Sequence, residues 1–315
     1  MGSKRQLSIW KSKSEFQLIS IIIPTRNRPE LLSSLVTRLL SFGLHQFEII
    51  VVDSSDATRE TPDFLSLSNV QYVTTNIKSA AIQRNIGIDH LSKSEYVFFL
   101  DDDVYPEHSY FDKCLLHLQR EGVVGVSGVA LNEEKSKPRV YPSGLIGLFQ
   151  TLFLLDSKRD GVLLKSGINI PVRNLDGEGQ KVEWLIGCSA WKVDLIGQTR
   201  FEQDFFGQSL GEDVIFSIQM GKKGDLVTDS SIVLKHLESE IERPKKREFW
   251  RMWIVNRKRL IDVAGFGILG NLAFWWSNFG QFIILLYSKF RNSSGQEGAI
   301  SGFLQGCREI LRVKN

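Results

Sequence analysis

The sequence predicts an α/β fold built on a doubly wound, mostly parallel sheet with flanking helices. Two observations predict it: short apolar runs alternate with segments of helical spacing, and several of those runs stop at clusters of polar residues. The chain has 315 residues, which is enough to bury a sizeable core as one large domain or as one domain with an appendage.

Buried strands are predicted where short runs rich in apolar residues are bounded by polar turns. In chain order, the predicted strands are Leu18–Ile23, Phe47–Val52, Val70–Val73, Tyr96–Leu100, Trp184–Trp191 with its turn, and Leu226–His236.

Helical segments are predicted between these strands. Glu30–Leu40 carries leucines at helical spacing, and Gly43 lies just beyond its end. Ser79 stands where a residue would cap the next helix, through residue 88. Pro106 and Glu107 indicate the first turn of a further helix directly after the fourth strand.

Polar clusters follow three of the predicted strands, namely Thr25–Asn27, Asp53 and Asp101–Asp103. Ligands of parallel sheets bind outside the carboxyl ends of the strands, so the three clusters predict a crevice of nucleotide size. Each cluster taken singly is also compatible with an ordinary polar turn. Three adjacent carboxylates repel one another, which favours a divalent cation holding a phosphate at this edge.

Composition excludes some classes of function. The net charge of +3 is too small to indicate a nucleic-acid partner, and we find no basic and aromatic stripe suited to single strands. The three cysteines lie far apart without metal-site spacing, which is typical of a reducing compartment. The first eighteen residues are polar and basic, so we expect no secretory signal and a location on the cytosolic side.

Six short motifs occur between about residue 18 and residue 236. They are Ile21–Arg28, Val51–Asp56, Arg84–Gly87, Leu100–Asp103, Gly187–Ala190 and Gly211–Asp213. In this order they resemble the family 2 glycosyltransferases of the GT-A fold. The dinucleotide-binding glycine fingerprint is absent after the first strand, and no Walker-type Gly-Lys-Ser/Thr loop occurs in the sequence. Both observations argue against Rossmann oxidoreductases and P-loop enzymes.

The resemblance implies a role for each matched residue. The residues that would bind a nucleotide-diphospho sugar are Pro24, Thr25, Arg26, Asn27 and Asp53 at the base and ribose, Arg84 near the nucleotide, and Asp101 and Asp102 near the ribose and donor sugar. Asp103 would ligate Mg²⁺ or Mn²⁺ between the two phosphates, where the cation stabilises the departing nucleoside diphosphate.

A second acidic site is predicted in the segment Gly211–Met220, which has the pattern of a short amphipathic helix. Glu212 and Asp213 lie in its first turn, where acids also favour the helix dipole without any further purpose. Sugar transfer needs a base for the acceptor hydroxyl, and the resemblance assigns this role to Asp213 with Glu212 as its neighbour. The resemblance also places His236 at the metal or diphosphate, although a purely structural histidine fits the sequence equally well.

Two apolar segments keep more than one interpretation. Leu145–Leu155, within the poorly patterned insertion 132–183, is too short to span a bilayer and suits either the core or an acceptor-side lid. Residues 263–288 follow a basic segment and carry no charge. Four polar residues fall on one narrow helical face of this stretch: Asn271, Asn278, Gln281 and Ser288. We expect this helix to lie in the membrane interface, with docking on the catalytic domain and spanning as the alternatives.

These observations predict three regions: a flexible lead-in (1–17), a GT-A catalytic domain (18–240) and a helical C-terminal extension in contact with the membrane (241–315). Within the catalytic domain, 18–131 would bind the nucleotide sugar and 132–240 the acceptor. The expected activity is inverting transfer of a sugar to a hydroxyl of a glycan or lipid-linked acceptor, at the inner face of the membrane, in polysaccharide biosynthesis of the cell envelope. A sugar-1-phosphate nucleotidyltransferase and a non-catalytic, membrane-associated nucleotide or carbohydrate binder are the alternatives.

Overall fold

The structure of the protein is a computed structural model. It describes residues 19–42, 47–56, 67–132, 141, 143–173, 179–203, 211–237, 245–291 and 298–312. The predicted lead-in at residues 1–17 lies outside these ranges.

Nine strands within the described residues form one mixed sheet, in the order β3-β2-β1-β4-β8-β6-β9-β5 with β7 paired to β9. The strands are β1 (Ile19–Thr25), β2 (Phe47–Asp53), β3 (Val70–Thr74), β4 (Tyr96–Phe99), β5 (Val104–Pro106), β6 (Val123–Asn132), β7 (Gln180–Val182), β8 (Ser189–Lys192) and β9 (Asp225–His236). The described helices are α1 (Pro29–Ser41), α2 (Ala80–Asp89), α3 (His108–Leu118), α4 (Gly144–Leu152), α5 (Val193–Ile196), α6 (Glu212–Gly221), α7 (Lys246–Val263), α8 (Gly267–Phe290) and α9 (Ala299–Arg312).

The first four strands of the sheet order are parallel and carry helices on both faces. All residues of β1 and β2 are buried, which is why both strands read as nearly continuous apolar runs. Ile21 and Ile23 point into a core shared with α1 and α3, whereas Ile22 points into a second core shared with α2 and α6. The predicted doubly wound α/β fold is therefore confirmed.

The sheet changes direction at β8, which runs antiparallel to both of its neighbours, β4 and β6. β6 was not predicted from the sequence, because glycines interrupt its apolar pattern. Those glycines have a packing reason: a Cβ on Gly125 would lie 2.4 Å from the Trp191 ring, and one on Gly128 would lie 2.0 Å from the Ile232 carbonyl oxygen.

Two local predictions were wrong. Pro106 does not open a helix, because Val104–Pro106 forms β5 by pairing with the edge of β9, and α3 begins only at His108. The predicted strand Trp184–Trp191 is a strand only from Ser189. Its first part turns instead toward α6, where the Ser217 hydroxyl accepts a hydrogen bond of 2.9 Å from the Leu185 amide.

The C-terminal helices α7, α8 and α9 pack together around a separate apolar cluster that includes Ile254, Phe274 and Phe303. Glycines let α9 lie directly against the backbone of α7. A Cβ on Gly302 would lie 1.9 Å from the Arg247 carbonyl oxygen, and one on Gly306 would lie 2.9 Å from that of Arg251.

Most of the apolar stretch at 263–288 lies in α8, because Val263 ends α7 and the chain turns at Gly265 and Gly267, whose φ angles are 70° and 59°. α8 packs on the rest of the C-terminal bundle through Phe274 and Leu285, with the polar Asn278 buried beside them. Among the helices of the described residues, none combines the length and the apolar character needed to cross a membrane.

The close approach of α9 to α7 gives a testable prediction for stability. We expect Gly302→Ala to lower the free energy of unfolding by about 1–3 kcal/mol, because the added methyl group has to push two helix backbones apart. Gly221→Ala is the matched control, since a Cβ there would lie 3.6 Å from the nearest side-chain atom of Leu226, in ordinary contact. Denaturant unfolding of both variants checks this, and equal midpoints would contradict it.

Candidate active site

Three loops of the site meet because parallel strands place their carboxyl ends side by side. Thr25 at the end of β1 is in register with Asp53 at the end of β2. The Ser54 amide donates to the Thr25 carbonyl (3.0 Å), and the Leu100 amide donates to the Ile22 carbonyl (3.1 Å). The polar clusters predicted from the sequence therefore lie together at one edge of the sheet.

Asp53 is held by three donors. Its carboxylate accepts hydrogen bonds of 2.7 Å from the Ser55 amide and 2.5 Å from the Ser55 hydroxyl, and the Tyr72 hydroxyl donates to its second oxygen. The Ser55 hydroxyl in turn accepts from the Asn27 amide (2.8 Å). This chain of bonds fixes the loops after β1 and β2 relative to each other.

The loop after β1 turns back at Asn27, which has a φ of 56°, a left-handed conformation that asparagine tolerates better than most residues. The Asp56 carboxylate accepts hydrogen bonds from the Asn27 side chain (3.0 Å) and from Arg26 (3.1 Å). Lys78 pairs with the same carboxylate. Beneath this loop, buried Gln83 donates to the Thr25 carbonyl at 2.7 Å and to the Val52 carbonyl at 2.6 Å.

The three carboxylates after β4 have different surroundings. The Asp101 side chain is 37% exposed, whereas Asp102 and Asp103 are buried. Asp102 accepts hydrogen bonds from the Thr25 hydroxyl (2.7 Å) and from Arg28 (2.9 Å). Burial raises the pKa of Asp102 to about 6, although these two donors oppose the shift. The contacts of Asp102 are thus made with the loop after β1.

Asp103 lies between two cationic or potentially cationic groups. Arg28 donates to its Oδ2 atom at 3.1 Å, and the Nε2 atom of His236 lies 3.4 Å from its Oδ1 atom. The pairing of β5 with β9 brings this histidine close, since Val104 is in register with His236 and the Leu237 amide donates to the Asp103 carbonyl at 2.7 Å. Burial and the neighbouring Asp101 raise the pKa of the Asp103 carboxyl.

The donor set at Asp103 suits a cation that is shared with a substrate. In the part of the chain that the structure describes, no three or more His, Cys, Asp and Glu side chains are arranged to hold a metal ion. Mg²⁺ in nucleotide enzymes commonly takes only one or two protein ligands and completes its shell with phosphate oxygens and water. One carboxylate oxygen and one imidazole nitrogen 3.4 Å apart fit that arrangement.

Arg84 links the loop after β4 to α6. Its guanidinium is 4% exposed and donates to Asp101 Oδ1 (2.7 Å) and to Glu212 Oε1 (2.8 Å). Ser79, which accepts from the Ile82 amide as a helix cap, begins the helix that carries Arg84. Gly187 leaves room for the guanidinium, because a Cβ there would lie 3.1 Å from Nη2. Residues from three separate motifs therefore meet at one buried arginine.

Asp213 lies in the first turn of α6, beside Glu212. The helix starts at Gly211, whose φ of 102° favours glycine. The Asp213 carboxylate accepts a hydrogen bond of 2.8 Å from the Val214 amide, and Asp213 is only partly buried, so it is more open than Glu212.

Burial sets the ionisation of this pair of acids. It raises the pKa of Glu212, although the positive charge of Arg84 opposes the shift. Burial also raises the pKa of Asp213, against the hydrogen bond from the Val214 amide. A carboxyl with a raised pKa is a stronger proton acceptor once it is ionised, which is the property needed in a general base.

Sequence reasoning missed several residues of the site. Arg28, Gln83, Tyr72 and Ser55 were not predicted as site residues, yet each bonds to a predicted loop or carboxylate. Arg28 carried a signal, since it lies in the same loop motif as Asn27. Gln83 and Tyr72 carried none, because their positions depend on how the elements pack.

A family comparison covers just under half of the chain. Residues 20–172 match the sequence model of the family described as glycosyl transferase family 2. A curated relative is the poly(ribitol-phosphate) beta-N-acetylglucosaminyltransferase TarP of Staphylococcus aureus (strain N315), 27% identical over 197 residues. The match covers 56% of this chain, which spans only 59% of the length of TarP.

Solved structures share the fold at low sequence identity. S. aureus TarS superposes with a TM-score of 0.54 and 15% identity, covering 94% of this chain and 82% of that one. The mannosyltransferase PcManGT of Pyrobaculum calidifontis, solved with GDP-Man and Mn²⁺, gives a TM-score of 0.55 and 13% identity, covering 96% of this chain and 89% of that one. These similarities support the GT-A fold.

The Arg84 ion pairs predict a large effect on stability. We expect Arg84→Met to lower the free energy of unfolding by about 3–5 kcal/mol, because the buried Glu212 loses its partner and must either keep an unpaired charge or take up a proton. The loss should be greatest at neutral pH. The loss should shrink on acidification. Glu212 has a raised pKa in the folded state, so it costs folding free energy only at pH values where it is ionised in the unfolded state. Once Glu212 is protonated in both the folded and the unfolded state, that cost disappears.

The control for this experiment is the double variant Arg84→Met, Glu212→Gln. It should recover part of the lost stability at neutral pH, as measured by denaturant unfolding across a pH series. A single variant whose stability loss stays the same across that series would contradict the assignment.

Proposed function

The chain belongs to glycosyl transferase family 2 and is an enzyme of the transferase class, and on that premise we propose that it moves a sugar, with inversion, from a nucleotide-diphospho sugar to an acceptor hydroxyl. The observation that supports this proposal is the Arg84 bridge. It joins Asp101, on the loop that would face the donor, to Glu212, beside the acid that would act as base.

In the proposed reaction Asp213 takes the proton from the acceptor hydroxyl. The hydroxyl oxygen forms a bond to the anomeric carbon while the bond from that carbon to the phosphate oxygen breaks. The electron pair of the broken bond leaves with the nucleoside diphosphate, and Asp213 later releases its proton to solvent. Glu212 and Arg84 hold Asp213 and the donor loop in place.

Donor binding is assigned to the loops at the edge of the sheet. We place the base and ribose against Pro24–Asn27 and Asp53, whose positions the Ser55 and Gln83 hydrogen bonds fix. Asp101 is the most exposed member of its triplet and is assigned to the donor sugar. Asp102 is assigned to the same region, and its bonds to Thr25 and Arg28 favour a positioning role for it.

Asp103 and His236 are proposed to hold Mg²⁺ or Mn²⁺ with the diphosphate. The cation would offset the negative charge that builds up on the leaving group. PcManGT, which shares the fold, was solved with GDP-Man and Mn²⁺.

The acceptor is proposed to be a hydroxyl of a cell-envelope glycan or of a lipid-linked glycan. TarP is named for transfer to poly(ribitol-phosphate), a polymer rich in hydroxyl groups. We further propose that residues 263–288 make peripheral contact with the inner face of the membrane, where such acceptors are assembled.

Removal of the proposed base gives a prediction for catalysis. Asp213→Asn should reduce kcat about 10²–10⁴-fold, because the acceptor hydroxyl then lacks a proton acceptor. The dissociation constant for the donor should stay the same. Asp194→Asn, which changes an exposed acid in the first turn of α5, is the matched control. Near-normal turnover of Asp213→Asn would remove Asp213 from this role.

The proposed metal site gives a prediction for donor binding. A thermal-shift panel of UDP, GDP, dTDP and CMP sugars, with and without Mn²⁺, should reveal one donor class whose binding is metal-dependent. Asp103→Ala and His236→Ala should abolish the dependence. The control is the pair of variants Asp112→Ala and His108→Ala, since these two side chains also form an acid–histidine contact (3.7 Å) but lie exposed on α3.

The same panel tests the class of enzyme. Release of a nucleoside diphosphate from the stabilising donor supports sugar transfer. Release of pyrophosphate from a nucleoside triphosphate and a sugar phosphate would instead identify a nucleotidyltransferase, and tight binding without turnover would identify a binder. Mn²⁺ dependence that survives in Asp103→Ala would contradict the metal assignment.

A further inference from the structure

Two helices expose their apolar side chains on the surface of the protein. On α4 the exposed residues are Leu145, Ile146, Leu148 and Leu152; on α8 they are Ile268, Leu269, Leu272, Trp276 and Phe279. Leu145 is 85% exposed and Ile268 is 81% exposed. So many large apolar side chains on two helices are unusual for a surface that faces only water. We call these nine residues the α4–α8 surface.

The α4–α8 surface is continuous because the end of α4 packs on the middle of α8. The Phe153 ring stacks on Trp276 with their centroids 4.7 Å apart and lies 6.0 Å from the ring of Phe279. The Trp276 indole donates to the Leu152 carbonyl at 2.8 Å. Gly280 allows this contact, because a Cβ there would lie 2.4 Å from Phe153.

The other side of α8 is committed to the protein interior. Ser277 and Asn278 are buried there and accept hydrogen bonds from Arg257 of α7. Arg257 is itself buried and lies 4.0 Å from the centroid of the Trp253 ring. α8 thus buries Ser277 and Asn278 on its inner side beside the apolar Phe274 and Leu285, and it exposes a further set of apolar side chains on its outer side.

Charge around the α4–α8 surface indicates what covers it. Neither 143–155 nor 263–288 contains a charged residue, and exposed cations follow each segment: Lys158 and Arg159 after the first, Lys289 and Arg291 after the second. The acids beside these segments are paired within the protein, Asp156 and Asp160 with Arg173 and Asp262 with Lys258. Phe290, between the last two, is 84% exposed. Apolar helices with basic residues at their ends are typical of segments that lie in a bilayer interface.

We propose that α4 and α8 together dock the enzyme onto a lipid bilayer that contains anionic headgroups. α8 would supply a face about 36 Å long, from 24 residues rising about 1.5 Å each. The apolar side chains enter the acyl boundary, and the flanking lysine and arginines reach the phosphates.

Docking through both helices would also hold α6, the helix that carries Asp213, in a fixed orientation relative to the bilayer. Leu163, on the segment after α4, and Leu260, on α7 before α8, both pack in the cluster that contains Val214 and Ile215. Val214 and Ile215 directly follow Asp213 on α6. A bilayer that holds α4 and α8 therefore also fixes the elements that support the proposed base. This consequence rests on the proposed function, in which the acceptor is lipid-linked.

The test is flotation of the purified full chain with vesicles. One set is phosphatidylcholine alone and the other is phosphatidylcholine with phosphatidylglycerol. We expect the wild type to bind the mixed vesicles. Leu145→Glu on α4 and Leu272→Glu on α8 should each weaken that binding at least about tenfold, because a carboxylate replaces a leucine that would enter the acyl boundary of the bilayer. Leu116→Glu on α3 is the matched control, since Leu116 is 46% exposed outside this surface.

Two further measurements keep docking separate from catalysis. Donor hydrolysis without vesicles should be the same for Leu272→Glu and wild type, so a loss of flotation alone concerns docking. If the wild type floats with vesicles but does not hydrolyse the donor, that result contradicts the proposed function and leaves the docking proposal unaffected.

Equal flotation of the wild type and all variants would overturn the docking proposal. A concentration-dependent dimer that Leu145→Glu and Leu272→Glu abolish, without vesicle binding, would also overturn it and assign the surface to a second copy.

Discussion

The buried guanidinium of Arg84 is the interaction on which the geometry of the site depends. Asp101 and Glu212 come from segments more than a hundred residues apart, and the Arg84 side chain joins their carboxylates. Burial opposes the charge on Arg84, yet the two carboxylates outweigh that effect and raise the pKa of the guanidinium. Removing the guanidinium would leave both carboxylates without this partner, Glu212 in a buried environment. The loop after β4 and α6 are therefore held in one arrangement.

A similar balance governs the acids after β4. Arg28 lies against Asp102 and Asp103, so their negative charge has a partner before any cation arrives. A metal bound at Asp103 would have to compete with this arginine. Phosphate oxygens of the donor would then contribute most of the remaining ligands, which fits a site that holds metal and nucleotide together.

The sequence was sufficient to predict the parallel half of the sheet, because β1, β2 and β4 are buried on both faces and read as apolar runs. The partly buried β3 has a weaker pattern. The sequence also predicted that Thr25, Asp53 and the Asp101–Asp103 triplet lie at one edge of the sheet. β6 was missed because its glycines serve cross-strand packing, which no local pattern reveals. Gln83 was missed because its partners are backbone carbonyls of β1 and β2. The polar stripe of α8 was found, but the sequence did not show that it binds the buried Arg257.

The packing of Leu260 against Val214 and Ile215 concerns how this protein can be divided. The sequence suggested a boundary near residue 240, where the character of the chain changes. Yet α7 covers the apolar side of the helix that carries Asp213, so a chain cut at that point would present those side chains to water. α7 is thus part of the packing that supports α6. Exchanging the C-terminal helices for those of a relative would require the contact surface of α6 to be exchanged as well.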